Sequence, residues 1–153
     1  MSSRFELRSH RLDSQAGQAS VELALSLPLL TALLFIVVEA GRICLVAIAL
    51  ASAAHAGVQY GAQNLTTVSD NAGMQNAAAA DAASLTGMTA TASHYCQCSD
   101  GSASTCLATD CSANHRLMYV KVITTATYSP WFNWPGIPAT TTLTSQAIMR
   151  VAQ

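Results

Sequence analysis

Charged side chains are scarce in this 153-residue chain, and lysine occurs once, at Lys121. Only 10% of the residues are charged, against about 25% in an ordinary soluble domain. The formal net charge is −1, so no basic excess favours nucleic-acid binding. The length suffices for one domain plus a membrane helix, or for one modest core.

The sequence also lacks the motifs that identify common enzyme classes. It contains no G-x-S-x-G, no H-E-x-x-H and no phosphate-binding loop. His55 lies in an alanine-rich stretch, and pairing His94 with Asp100 or Asp110 is an arrangement that any loop of this composition would offer. We therefore expect no catalytic residues, no enzymatic activity and no cofactor.

The main positive feature is an apolar run, Leu23 to Val38, that contains no charge. A bilayer requires roughly 20 residues of helix, so we expect the span to begin near Ala19. One carboxylate, Glu22, stands at its start. A charge in that position is costly in lipid and usually has a function. The run therefore predicts a membrane helix.

The segment before this helix sets the expected topology. It contains three positive and two negative side chains, Arg4, Arg8 and Arg11 against Glu6 and Asp13. Positively charged flanks tend to remain cytoplasmic, so we expect a single-pass protein with its N-terminus inside. A secretory signal is a minor alternative because Ala51-Ser52-Ala53 has the form of a cleavage site, although it lies about twice too far from the start.

Two charges, Glu39 and Arg42, separate the span from a second apolar stretch, Ile43 to Ala54. Residues three apart share a helix face, so these side chains form a possible ion pair. We prefer to place Glu39 at the interface on the outer side of the membrane, with the helix continuing beyond that interface to Gln63. Pro28 is expected to kink the helix near its start.

The N-terminal region contains three motifs in a defined order. The first motif is Gly17-Gln-Ala-Ser-Val-Glu22-Leu-Ala-Leu, the second is Leu27-Pro-Leu-Leu, and the third is Val38-Glu-Ala-Gly-Arg42. This order resembles the TadE family, pseudopilin-like proteins of the tight-adherence (Flp pilus) secretion system. The resemblance continues through Ala62. It is weaker near the C-terminus, at Tyr128-Ser-Pro, Trp134-Pro-Gly and Ala147 to Val151.

The resemblance implies cleavage by a prepilin peptidase between Gly17 and Gln18. Glu22 then becomes the fifth residue of the mature chain, where such a glutamate neutralises the terminal amine of a neighbouring subunit. Opposite charges in a low-dielectric bundle cost less when paired than when apart. Leu23 replaces the tyrosine of Flp pilins, so the resemblance implies a minor pilin or pseudopilin rather than the main fibre subunit.

The partners implied by the resemblance are the bacterial inner membrane, other pilin-like subunits, the prepilin peptidase and the pilus assembly machinery. The alternative is an uncleaved, membrane-anchored binding protein with a periplasmic domain, which predicts the same topology. We expect three parts: a cytoplasmic leader at 1–17, which the resemblance makes a prepilin leader peptide, a transmembrane and extended helix at 18–63, and an extracytoplasmic domain at 64–153.

We predict an α+β fold for the whole chain, with the long helix packed on a small antiparallel sheet in the manner of pilins. The alanine-rich segment Asn71 to Ser84 favours a short helix. Residues rich in threonine, valine and tyrosine favour three strands, at Thr89–Tyr95, Leu117–Tyr128 and Ala139–Val151. A proline-containing loop carries Trp131 and Trp134, as partner contacts or as caps of the sheet.

Five cysteines favour an oxidising compartment for the outer domain. Cys44 is expected to be a free, buried thiol. Cys96 and Cys98 are too close to bridge each other easily, so each is expected to reach across to Cys106 or Cys111, with the connectivity left open. Such bridges would stiffen a polar loop that cannot pack a core of its own.

A zinc site is the rival interpretation of the same four cysteines. Neither C-x-C nor C-x4-C matches the usual zinc-knuckle spacing, although His94 and His115 flank the cluster and could serve as ligands. We expect disulfides and no metal.

Overall fold

The computed structural model describes residues 3–107, 109–111, 115–132, 136 and 138–151, with the backbone alone for residues 3–16. The chain divides into two compact units, Met1–Gly41 and Arg42–Gln153. The fold is α+β, with a long N-terminal helix and a small antiparallel sheet, as predicted.

The first helix, α1, spans Ser3–Gly61 and therefore begins inside the predicted leader. Leucine and alanine favour this helix, and Pro28 lies within it. Hydroxyl groups in the apolar segment bond to backbone carbonyls one turn back, Ser26 to Leu23 and Thr31 to Leu27. Such internal hydrogen bonds satisfy polar groups where no water is available. The kink at Pro28 remains a prediction.

A 3₁₀ turn, Thr67–Ser69, leads into the second helix, α2, at Asn71–Asp81. Asp70 caps α2 because its Oδ1 accepts a hydrogen bond from the backbone N–H of Gly73 at 2.8 Å. Its Oδ2 accepts a second bond from the Tyr60 hydroxyl at 2.8 Å. This bond connects the end of α1 to the start of α2. The helix ends at Asp81 rather than at the predicted Ser84, where the chain is in a turn.

The described part of the chain forms a four-stranded sheet in the order β2-β1-β3-β4, with every neighbouring pair antiparallel. The strands are β1 at Thr89–Cys98, β2 at Ala103–Ser104, β3 at Arg116–Tyr128 and β4 at Thr141–Arg150. The three predicted strands are therefore present, and β2 was not predicted.

The unit Arg42–Gln153 is called the outer unit below, and its core lies between α1, α2 and one face of the sheet. Alternate residues of β3 are buried, as expected for a strand covered on one face. They meet a helix face made of small and aliphatic residues, Leu50, Ala53, Ala54 and Val58. The hydroxyl of Thr124, which is fully buried, donates to the Leu50 carbonyl at 2.9 Å. This bond satisfies a polar group that would otherwise be costly inside the core.

The end of α1 and strand β3 run in opposite directions along each other. A Cβ added to Gly61 would lie 3.1 Å from Val120, and one added to Gly57 would lie 3.1 Å from Val122. Towards the other end, the guanidinium of Arg42 lies 5.4 Å from the ring centroid of Tyr128. From Arg42 to Gly61 the helix rises about 28 Å, and from Val120 to Tyr128 the strand rises about 27 Å. The two elements are therefore matched in length.

The expectation that Cys44 is buried is wrong, because this free thiol is exposed. The buried positions of the outer part of α1 include Leu50, Ala54, Val58 and Gly61 and lie on one face of the helix. Cys44 falls on another face, where the sheet does not cover it.

We predict that Gly57→Ala destabilises the outer unit. The new Cβ would lie 2.9 Å from the Met74 carbonyl oxygen and 3.1 Å from Val122. Overpacking of this kind costs typically about 1–3 kcal/mol. Gly41→Ala is the matched control, because a Cβ there meets nothing within 4 Å. Thermal unfolding of the detergent-solubilised chain measures both variants, and equal melting temperatures would contradict the close packing at Gly57.

A second prediction concerns pH. Hydrogen bonds from the Gly73 N–H and the Tyr60 hydroxyl lower the pKa of Asp70. The hydrogen bond between Tyr60 and Asp70 also raises the pKa of Tyr60. A carboxyl whose pKa is lower in the folded state stabilises the fold above its unfolded pKa, about 3.9. That contribution is lost as the pH falls through the lower, folded value.

Asp70→Asn keeps a capping acceptor but removes the charge. We expect the variant to be less stable than the native chain at pH 7, and the difference to narrow as the pH falls below about 4. Melting temperatures measured across this range test the prediction, with the exposed Asp81→Asn as the control. A difference that stayed constant with pH would contradict the assigned role of the Asp70 charge.

Candidate functional site

The apolar part of α1 is exposed on all of its faces. Leu23 is 62% exposed, Leu25 74% and Leu29 71%. Within the described residues, one helix is long and apolar enough to cross a membrane, at Gly17–Gly61. Almost none of its most apolar part is buried by the rest of the chain. A helix that is hydrophobic all round needs lipid or other helices as its surroundings.

The predicted cleavage and assembly residues lie at the N-terminal end of this apolar segment. Gly17, Gln18 and Glu22 are all helical and all exposed. Glu22 is the one charged residue between Gly17 and Glu39. Its carboxylate is therefore accessible to a neighbouring chain, while the Gly17–Gln18 peptide bond lies within continuous helix.

The predicted ion pair of Glu39 with Arg42 remains a prediction. Among residues 17–41, whose side chains the structure describes, Glu39 alone is buried, at 9% exposure. Sequence reasoning assigned Arg42 a carboxylate partner and missed its aromatic neighbours. Its guanidinium lies 4.0 Å from the ring centroid of Trp131 and 5.4 Å from that of Tyr128. Contacts of this type contribute about 0.5–2 kcal/mol, depending on desolvation.

A cleft of about 450 Å³ opens beside Arg42. Its lining is mixed, with apolar side chains from the helix, Leu45 and Val46, and from the turn after α2, Leu85. The end of β3 adds Thr127 and Tyr128. Arg42 provides the charge in a lining that is otherwise apolar or carries hydroxyl groups.

Trp131 is 66% exposed, so its side chain does not form a buried cap of the sheet. Trp134 lies outside the described residues. The Trp131 side chain does identify one end of the outer unit, where Arg42 and the last residue of β3 meet.

The cystine loop, residues 96–111, occupies the opposite end. Cys96 is bonded to Cys106 and Cys98 to Cys111. The prediction that each early cysteine reaches across to a later one is therefore confirmed, and the connectivity is resolved. Because Cys98 pairs with Arg116 at the start of β3, the loop lies at the end of the sheet away from Tyr128.

Polar contacts organise the interior of the cystine loop. The Oδ2 of Asp110 accepts hydrogen bonds from the Thr105 backbone N–H at 2.6 Å, from the Thr105 hydroxyl at 2.7 Å and from the Ser104 hydroxyl at 3.0 Å. The hydroxyl of Thr105 contributes most to lowering the pKa of Asp110. Arg116 donates to the carbonyl of Cys106 at 2.6 Å. Cys106 has a φ of +73°, a left-handed conformation that is uncommon for a residue other than glycine.

The structure does not arrange the four cysteines as a zinc site, because their thiols are in disulfides. Over the residues that the structure describes, no group of three or more histidine, cysteine, aspartate or glutamate side chains is placed to hold a metal ion. His94 and His115, the residues that flank the cluster, are exposed.

Comparison with known families identifies the apolar helix and its continuation. The family model for TadE-like protein matches residues 17–59. This segment is TadE-like. The match begins at Gly17 and ends near the C-terminus of α1, so it covers the three N-terminal motifs but not the weaker C-terminal ones. No curated protein and no solved structure matches the chain.

We predict that replacing Cys96 and Cys106 together by serine destabilises the outer unit. The two residues are 10 positions apart, and closing a loop of this length stabilises by about 2–3 kcal/mol in the chain-entropy model. Cys44→Ser is the control, since Cys44 forms no disulfide. Thermal unfolding measures the loss.

Thiol alkylation of the denatured chain tests the disulfides directly. We expect one reactive thiol without reductant and five after reduction. Five reactive thiols without reductant, together with bound zinc, would contradict the disulfide assignment and support the metal site.

Proposed function

We propose that this chain is a minor pilin or pseudopilin that takes part in assembling a Flp-type pilus, with a structural rather than an enzymatic role. The observation that carries the proposal is that the TadE-like segment, residues 17–59, contains the helical run Leu23 to Val38, whose apolar side chains are exposed on every face. The sequence order of Gly17, Glu22 and the apolar run supports it further.

In this proposal the helix first lies in the bacterial inner membrane, with the leader in the cytoplasm and the outer unit in the periplasm. The excess of arginine in residues 1–17 supports this orientation. Prepilin peptidase then removes the leader between Gly17 and Gln18. The mature chain retains the apolar helix, and the assembly machinery transfers that helix from lipid into a bundle of similar helices.

Glu22 provides the specific contact in this bundle. After cleavage the α-amine of Gln18 carries a positive charge, and the carboxylate of Glu22 in a neighbouring subunit pairs with it. In an apolar bundle an unpaired charge is strongly disfavoured. The pairing therefore selects the axial position at which two helices pack, and purely apolar contacts would leave that position undefined.

The second candidate function is an uncleaved, membrane-anchored binding protein. One observation favours it: the Gly17–Gln18 bond lies within helix α1. A protease acts on extended backbone, so cleavage requires at least one helical turn to unwind. In this alternative the exposed cystine loop is the part of the outer unit that holds a partner.

The mature N-terminus distinguishes these functions. We expect mass spectrometry of the chain from its native host to find Gln18 as the first residue, because glycine allows the backbone to enter the protease in extended form. A chain that begins with Met1 or Ser2 would support the permanent anchor instead.

Gly17→Leu should block cleavage and leave the leader attached. Gly41→Leu is the matched control, because both glycines lie in α1 and an added Cβ meets nothing within 4 Å at either. Both variants should therefore fold alike. Loss of cleavage in both, or in neither, would argue against recognition at Gly17.

Glu22→Gln should leave cleavage intact and reduce co-purification with other pilin-like subunits, because glutamine carries no charge to pair with a terminal amine. Ser26→Ala, one turn further along the same helix, is the control for a change of polarity without a change of charge. Unchanged co-purification of the Glu22 variant would contradict the proposed pairing.

A further inference from the structure

Two large apolar side chains are exposed just after β3 ends at Tyr128. Trp131 is 66% exposed and Phe132 is 46% exposed. Burying such aromatic side chains is strongly favourable, so their exposure in neighbouring positions requires an explanation. Leu45, on the wall of the adjacent cleft, is also 68% exposed.

Arg42 defines the point along helix α1 that Trp131 lies beside. The Arg42 guanidinium lies 4.0 Å from the Trp131 ring centroid. Arg42 itself is four residues beyond Val38, where the charge-free apolar run ends. Trp131 therefore lies at the level of the helix at which a membrane span would meet the headgroups. The cystine loop occupies the other end of the sheet.

We propose that Trp131 and Phe132, together with Arg42, form an interfacial anchor that inserts into the headgroup region of a phospholipid bilayer. This inference rests on the proposed membrane insertion of α1. Tryptophan concentrates at membrane interfaces, where its apolar ring and polar N–H each find suitable surroundings. The fixed positive charge of Arg42 complements the phosphate groups of the headgroups.

A lipid surface fits these observations better than a protein partner does. The exposed Trp131 adjoins the cation Arg42, and Arg42 follows the charge-free apolar run by four positions in the sequence, so an aromatic ring and a positive charge come together just after the predicted span. The anchor would add a second attachment to the membrane besides α1. It would thereby restrict the tilt of the outer unit against the bilayer.

Fluorescence quenching in proteoliposomes tests this anchor with the full-length chain. In a Trp134→Phe background, Trp131 is the one remaining tryptophan. Vesicles of phosphatidylcholine and phosphatidylglycerol are prepared with bromine at shallow or at deep positions of the acyl chains. We expect shallow bromines to quench Trp131 more strongly than deep bromines, and aqueous iodide to quench it weakly.

Two further chains control for folding and for position. The Trp131→Phe chain retains Trp134 as its tryptophan. Subtracting the fluorescence of this chain from that of the native protein gives the quenching of Trp131 by a second route, which does not depend on the Trp134→Phe substitution. The second control replaces both native tryptophans by phenylalanine and adds Tyr95→Trp. This substitution places a tryptophan reporter on β1, beside Tyr119. That position is near the cystine loop, so iodide should quench it and the bromines should not.

Resistance to carbonate extraction separates the possible failures. If the protein stays in the membrane and iodide alone quenches Trp131, the anchor is overturned and the proposed function is left intact. Trp131 shielded from both quenchers would overturn it in favour of a protein contact. If carbonate extracts the protein from the vesicles, both the anchor and the membrane insertion on which it rests are overturned.

Discussion

The outer unit depends on the close approach of the last turns of α1 to strand β3. Glycine and alanine on the helix allow this approach, because a Cβ at Gly57 or Gly61 would already contact Met74 and the valines of β3. The valines provide the apolar area that a small-residue helix face lacks. Thr124 adds a buried hydrogen bond to the Leu50 carbonyl at 2.9 Å, so the helix and the sheet are joined by both packing and a polar contact.

The same helix meets two different environments along its length. Leu23 and Leu29 expose most of their surface, whereas Ala53 and Ala54, some 30 positions later, are completely buried by their own chain. In the first segment the sequence supplies large apolar side chains that leave most of their surface uncovered, as a membrane span would require. In the second it supplies small ones for a strand of the same molecule. Both segments favour helix, so α1 continues across the change.

Features encoded by local pattern were predictable from the sequence. The apolar run, the three long strands and the pairing of Cys96 and Cys98 with later cysteines follow from composition and spacing. β2 was missed because two residues, Ala103–Ser104, are too few to show an alternating pattern. The aromatic neighbours of Arg42 were missed because the contact joins positions almost 90 residues apart, while Glu39, its expected partner, is close in sequence. The exposure of Cys44 depends on which helix face the sheet covers.

The antiparallel arrangement of α1 and β3 has a mechanical consequence. The cystine loop lies at one end of the strands and Arg42, where the chain enters the outer unit, lies near the other. Tension between these ends acts along the strands. Because the cystine loop closes the hairpin of β1 and β3, both strands are pulled in the same direction, and the shear falls on the packing between α1 and β3. The close contacts at Gly57 and Gly61 and the bond from Thr124 to Leu50 would then resist sliding together, while the disulfides keep the loop itself from extending.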